Sequence, residues 1–344
     1  MWTGLSPSEA RSLLVQKDKA KKDKRMSITE AVSTLVKDGY NLGIGGFVNS
    51  RQPVATVHEI IRQGKKDLLL SFHSAGLAVE YLAGAMALDQ QQFSIKRLEF
   101  AYWGIELFGL SSMLRFLSEN GMVELEDWSN FNMSARFKAA AMGLPFLPCR
   151  SPLGSDVPRA NRSKIIDCPF TGEPIALLPA CHPHVALIHV QEADIYGNCR
   201  IGGPLFTCPE IALAAAHTIV TCERIIPHEE MIQEPSRINI PFFAVDAVVE
   251  IPLGAYPGNC HSRYYFDENH IKEFRNAVEA FRKGNPIPLQ RYYDQYIYGV
   301  TDSDGMLEQI PYRQLKHIQQ IELREAVLMQ ETGDDKQGDG KNAH

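Results

Sequence analysis

The sequence predicts an α/β protein: a single large domain on an open, mainly parallel sheet, with helices covering both faces. Three observations carry that expectation. Helical and strand patterns alternate from Ser27 onward, the order that strand–helix–strand units produce. A strand–glycine–helix junction stands near the start, Asp38-Gly39-Tyr40-Asn41-Leu42-Gly43-Ile44-Gly45-Gly46-Phe47 followed by Asn49-Ser50-Arg51-Gln52-Pro53. Such a junction commonly frames a ligand crevice in an open α/β sheet. The 344 residues are 44% hydrophobic and 22% charged, enough apolar side chain for a large core without staples. That length admits one large domain or two smaller ones; one is expected.

Residues 1–26 read as an N-terminal basic extension. Lys17 to Arg25 holds six basic and two acidic residues, which suits a solvated helix or a disordered arm better than a binding patch. Met26 looks like a fresh start, with Ser27 and Glu30 at capping-box spacing. The apolar face of Ile28, Val32, Leu35 and Val36 predicts a helix feeding a strand at 41–46. Pro53 suits the first turn of a helix over Val54, Val57, Ile60 and Ile61. A strand at Leu68–Phe72 and a helix of small residues at about 78–88 follow. Leu98–Trp103 reads as another strand, and Leu110, Met113, Leu114 and Leu117 as one helix face that stops at Asn120-Gly121. Met122–Leu125 alternates like a short strand, and Ala135–Met142 is helical. Residues 145–183, rich in Pro, Gly and Ser, read as an excursion or lid. Strands at Val185–Val190 and Thr218–Thr221 bracket a helix at Ile211–Ala216. Asp267 is placed to cap a helix whose apolar face is Ile271, Phe274, Val278 and Phe281. The main domain is expected to span 27–330, and the polar 331–344 to be a disordered tail.

Composition also excludes function classes. A formal net charge of −6 argues against nucleic acid as a partner. The seven cysteines are scattered without a CxxC pair, which favours free thiols in a reducing compartment over a disulfide framework or a zinc site. No run of 18 apolar residues marks a membrane span, and the N-terminus lacks a signal-peptide core; the expectation is a cytoplasmic protein. His184 and His189 stand at odd spacing on an apolar strand and face opposite sides. With His182, they read as strand or loop packing rather than metal ligands. Gly43-Ile44-Gly45-Gly46-Phe47 lacks the third glycine of a dinucleotide fingerprint.

The stretch Asp38–Pro53 resembles the glycine-rich motif of the α (A) subunits of family I coenzyme A transferases. Its Arg51-Gln52-Pro53 looks like the branch formed by the A subunits of glutaconate CoA-transferase. Further matches follow in order: Glu80-Tyr81-Leu82-Ala83-Gly84-Ala85, Gly104-Ile105-Glu106-Leu107-Phe108-Gly109, Ala139–Pro148, Gly154-Ser155-Asp156, His189–Asp194 with Gly197-Asn198, and Val245–Glu250. The resemblance covers roughly residues 27–285. Gly43, Asn49, Ser50 and Met86 depart from the family pattern.

The resemblance implies a CoA-transferase-like fold and an enzyme that moves coenzyme A between an acyl-CoA and a free acid, expected to be dicarboxylic or oxo. Exchange would run through a glutamyl-CoA thioester. The nucleophilic glutamate would belong to a partner B subunit, so no catalytic residue is expected in this chain, which would work as part of a hetero-oligomer. No permanently bound cofactor and no metal are implied; the coenzyme A thioester is substrate. A thioester or ring-opening hydrolase of the same fold, and a non-catalytic scaffold, are the alternatives.

The expected pocket wall is Gly45, Gly46, Phe47, Asn49, Arg51, Ser74 and Glu106, with the glycine strand end suited to donate N–H groups to an oxyanion. Arg51 is placed to grip a substrate carboxylate or phosphate, or else to form a surface ion pair. Ser74 reads equally as crevice lining or helix capping. Glu106 would orient a substrate or a partner residue, or simply bond loop amides, and Glu80 and Asp156 are as readily caps. Arg150, Arg159 and Arg162 are possible phosphate contacts. Ser118-Glu119-Asn120-Gly121 spells the signature of the catalytic glutamate in many β subunits. Glu119 nevertheless closes an amphipathic helix with Gly121 as its stop, so the cap reading is preferred.

Overall fold

The computed structural model describes residues 2–323, with Glu106 by its backbone alone. The expected tail at 331–344 lies outside the described residues. In chain order the strands are β1 (Asn41–Ile44), β2 (Leu68–Ala75), β3 (Ile95–Trp103), β4 (Glu124–Asp127), β5 (Phe146–Cys149), β6 (Lys164–Asp167), β7 (Pro174–Pro179), β8 (Val185–Ala193), β9 (Cys199–Arg200), β10 (His217–Ile225) and β11 (Ala247–Glu250). Seven of them, β11-β10-β8-β1-β2-β3-β4, lie parallel, and β9 adds antiparallel to β8. The helices are α1 (Pro7–Gln16), α2 (Ile28–Leu35), α3 (Val54–Arg62), α4 (Leu77–Leu88), α5 (Ser112–Glu119), α6 (Asn130–Ala141), α7 (Cys208–Ala214), α8 (His228–Gln233), α9 (Glu268–Arg282), α10 (Ile287–Tyr293) and α11 (Ser303–Glu308), and residues 312–323 are helical as well.

Both faces of the sheet are covered, as the near-continuous apolar strands require. Leu42, Ile44, Leu70, Phe72, Val185 and Leu187 pack with Val57, Leu77, Leu82 and Phe274 on one side. Ala186, Ile188, Val190, Val220 and Val248 pack with Met133, Phe137 and Ile211 on the other. Gly43 has a packing reason: a Cβ there would lie 2.8 Å from both Ile211 and Pro183, so its absence lets α7 sit directly on β1. Asp267 caps α9 by accepting from Asn269 and His270 N–H groups at 3.1 Å. Gly121 follows α5 at φ 63°, the left-handed stop its sequence suggested.

Two segments differ from their sequence reading. Lys17–Arg25 is no solvated arm: it straps the edge of the sheet. The Lys17 side chain is buried and pairs with Asp246 at 2.7 Å, donating also to the Ala244 carbonyl at 2.8 Å. The Lys24 ammonium donates to the Phe242 carbonyl at 2.6 Å. Lys24 and Met26 bond the backbone of Val248 on β11, covering an open sheet edge. The expected lid at 145–183 builds a second, antiparallel sheet in the order β5-β7-β6. It is tied to the main sheet through Arg162, which bonds Glu99 on β3, Glu126 on β4 at 3.0 Å and the Thr3 hydroxyl at 2.8 Å.

Candidate active-site crevice

Beyond Ile44 the chain leaves the sheet at Gly45 and folds into a tight loop at the carboxyl edge of β1. Phe47 and Ser50 exchange both backbone hydrogen bonds, at 2.9 and 2.7 Å, and the Val48 N–H donates to the Ser74 carbonyl at 3.1 Å. Gly46 adopts φ 80°, and a Cβ there would meet the Arg51 carbonyl oxygen at 2.5 Å, so no other residue fits without moving the loop.

Two further loops close around it. From one side, Asn259 exchanges backbone bonds with Asn49 and Arg51, both at 2.8 Å. From the other come Pro204, Phe206 and Cys208: the Cys208 sulfur accepts the Gly46 N–H at 3.2 Å, and Phe206 stacks on Phe47 with ring centroids 4.8 Å apart. Backbone strain gathers in these same loops. Val48, Arg51, Phe206, Leu253 and Ser262 all carry φ between 50° and 63°, conformations that cost free energy in non-glycine residues and cluster at functional sites.

The expected wall residues Gly45, Gly46, Phe47, Asn49, Arg51 and Ser74 are thus brought together. Phe47 also contacts half-buried His73 at 5.4 Å. Burial lowers the His73 pKa, favouring a neutral imidazole, and its buried Nδ1 is without a hydrogen-bond partner. Asn49 is buried with its side-chain Oδ1 likewise unpartnered. Ser74 does not cap α4; its hydroxyl bonds the Asn130 side chain at 3.1 Å, and Gly76 takes the cap position. Glu106 opens the turn Glu106–Phe108, and its side chain lies outside the described set.

Arg51 is no surface ion pair: it is 0% exposed. Its guanidinium bonds the Pro204 carbonyl and approaches the Cys208 sulfur at 3.8 Å, over the Phe206 ring. The N–H groups of Gly45, Gly46, Phe47 and Val48 are all engaged inside the protein. They hold the loop's shape and are not open to an oxyanion.

Sequence reasoning did not place Phe206, Cys208, Asn130 or Asn259 in the site: Phe206 and Asn259 lie in loops, Asn130 and Cys208 are the first residues of α6 and α7, and none stands in a local motif. Glu80 caps α5, accepting from Ser112 and Met113 N–H groups at 2.9 and 3.0 Å as well as from the Ser111 hydroxyl. Asp156, Arg159 and Arg150 are spent on exposed ion pairs. Glu119 closes α5 half-exposed, held by Arg115 at 2.7 Å. It lies toward the amino edge of the sheet, where Gly121 and Met122 share a surface depression with Lys66, Asp67 and Ser94.

One metal-capable group among the described residues, His189, Glu223 and Cys260, lies under the crevice floor. Both imidazole nitrogens are occupied there, by Thr221 at 2.9 Å and Glu223 at 2.7 Å, and the carboxylate also accepts from Tyr264 and the Leu253 N–H, each at 2.9 Å. The arrangement is a closed hydrogen-bond network. All seven cysteines are free, six of them buried. No helix among the described residues is long and apolar enough to cross a membrane.

An open parallel sheet with a glycine loop at its carboxyl edge is the frame of a ligand-binding α/β enzyme, and comparison with known proteins gives the family. Residues 25–251 match the coenzyme A transferase family model; the chain belongs to that family. Within it the chain is similar to the A subunits of glutaconate CoA-transferase. It is 32% identical to the one from Acidaminococcus fermentans, over 83% of this chain and 92% of that one. The crystal structure of that transferase superposes with a TM-score of 0.79, covering 86% of this chain and 95% of that chain. The A subunit of 3-oxoadipate CoA-transferase from Pseudomonas knackmussii is 34% identical over 80% of this chain and 94% of its own. An uncharacterized protein of Archaeoglobus fulgidus is 42% identical over 88% of this chain, which spans 66% of that relative's length.

Proposed function

We propose that this chain is the A subunit of a heteromeric transferase that moves coenzyme A between an acyl-CoA and a free dicarboxylic or oxo acid. The observation that carries the reading is similarity to two named A subunits over more than nine-tenths of their lengths. The chemistry would run by covalent catalysis. The partner B subunit supplies a glutamate carboxylate, which attacks the thioester carbonyl and expels the CoA thiolate, giving a mixed anhydride. That thiolate then attacks the glutamyl carbonyl, releasing the first acid and leaving glutamyl-CoA. The second acid reverses the sequence, which predicts ping-pong kinetics.

In this reading the 45–53 loop, with Phe47, His73 and Phe206, forms a rigid wall that positions the acyl group. The position of Glu119 toward the amino edge, paired with Arg115, supports an attacking carboxylate supplied by the partner. The test is to purify the chain alone or with its B partner, then follow CoA exchange between an acyl-CoA and a dicarboxylate. Exchange is expected only in the complex, with a hydroxylamine-sensitive CoA thioester on the partner. Full exchange by the isolated chain would overturn the division of labour. Release of free CoA without exchange would favour the hydrolase. Glu119→Gln should keep the rate within about twofold, because the removal of an exposed ion pair costs little.

A further inference from the structure

We infer that Arg200, Arg224 and Arg263 form a phosphate-binding station for the nucleotide end of coenzyme A; this rests on the acyl-CoA reading above. Three guanidinium groups converge there on one carboxylate. Glu192, near the carboxyl end of β8, meets Arg224 at 3.0 Å, Arg263 at 3.1 Å and Arg200 at 3.6 Å. A second acid, Glu230, reaches Arg224 alone, at 3.7 Å. Among the described residues of the cluster, cations therefore outnumber carboxylates. The Nε atoms of Arg200 and Arg263 are buried with no hydrogen-bond partner, so Glu192 and Glu230 leave part of the cluster's donor capacity unmet.

The cluster is built rather than accidental. Arg200 is 6% exposed, and its Nη2 is fixed by the Glu230 and Met231 carbonyls, both at 2.9 Å. Arg224 and Arg263 keep 53% and 34% of their side chains open to solvent, so an anion can reach them.

Its place in the fold fits a long anionic substrate. Leu187 on β8 is level with Ile44, where the glycine loop begins. Glu192 stands five residues further, about 16 Å along an extended strand, a separation suited to a pantetheine arm. Gln191 ties the two crevice loops together, donating to the Gly202 carbonyl at 3.1 Å and the His261 carbonyl at 3.0 Å. Arg200 leads into the first of those loops and Arg263 follows the second. Coenzyme A would thus lie with its thioester against Phe47 and its phosphates against the arginines.

The probe is adenosine 3′,5′-bisphosphate, titrated by calorimetry into the full-length chain. The double variant Arg224→Ala/Arg263→Ala should bind it at least tenfold more weakly than wild type, while Arg150→Ala, removing an exposed arginine elsewhere, should not change it. In the complex with its B partner, the double variant should raise KM for acyl-CoA at least tenfold and leave KM for the matching acyl-pantetheine, which lacks the nucleotide, unchanged. Arg224→Lys/Arg263→Lys, which keeps charge but loses the fork, should fall between. No bisphosphate binding by wild type, equal binding by the double variant, or equal loss for both thioesters would each overturn the station. Bisphosphate binding that depends on the arginines, in a complex that processes no acyl-CoA, would keep the station and remove the transferase reading.

Discussion

Gly46 shows how tightly single atoms set the crevice. A methyl group at its Cβ would lie within 2.5 Å of the Arg51 carbonyl and 2.7 Å of the Ser50 carbonyl, at φ 80°. Gly46→Ala should therefore destabilise the fold by about 1–3 kcal/mol, the usual cost of a strained backbone site, read from urea denaturation. It should also lower CoA exchange in the complex, since the loop must shift away from Cys208 and Phe206. An unchanged urea midpoint would show that the loop is soft and the site less preorganised than its geometry says. Arg51 makes the complementary point. The sequence marks it as the notable charge beside the glycines, but not that its guanidinium turns inward to Pro204 and Phe206. Those partners lie more than 150 residues away, beyond any local pattern.

Among the elements, those legible in the sequence are the ones stabilised locally. The β1–α3 junction is announced by its glycines and proline, and α9 by the Asp267 cap and its apolar face. The strap at Lys17–Arg25 was not legible, because its basic residues look solvated until distant acceptors are supplied. Lys17 finds Asp246 and two carbonyls contributed by residues 216 and 244. The antiparallel β5–β7 sheet escaped for a related reason. Its prolines and glycines read as loop, and its pairing depends on contacts such as Leu147 with Leu178. The strap gives a direct test. Lys17→Met keeps the apolar stem and leaves Asp246 without its ammonium, so stability should fall by about 3 kcal/mol, as for breaking a largely buried pair. A loss below about 0.5 kcal/mol, within the range of surface substitutions, would mean the strap is held by its backbone bonds alone.

On the scale of the whole molecule, the crevice wall is assembled from three loops whose rigidity depends on the sheet and helix layers beneath them, so global stability and activity should share a pH dependence. His58, His73, His182, His184 and His270 all have pKa values lowered by burial, His270 to about 4. In the unfolded chain each would take up a proton near its ordinary value of about 6.5. At these five histidines the unfolded state therefore binds more protons than the folded one as pH falls below about 6.5, and their contribution to stability falls with it. This contribution is fully present above that value and is lost progressively toward the folded pKa. For His270 alone the shift corresponds to roughly 3 kcal/mol. Urea unfolding at pH 7.5, 6 and 5 should show a steadily falling midpoint, and His270→Gln should flatten the slope between 6 and 5 while also shifting the midpoint at pH 7.5. A wild-type midpoint constant across that range would mean that the unfolded chain shields these imidazoles as well as the fold does, and the link between burial and acid sensitivity would be lost.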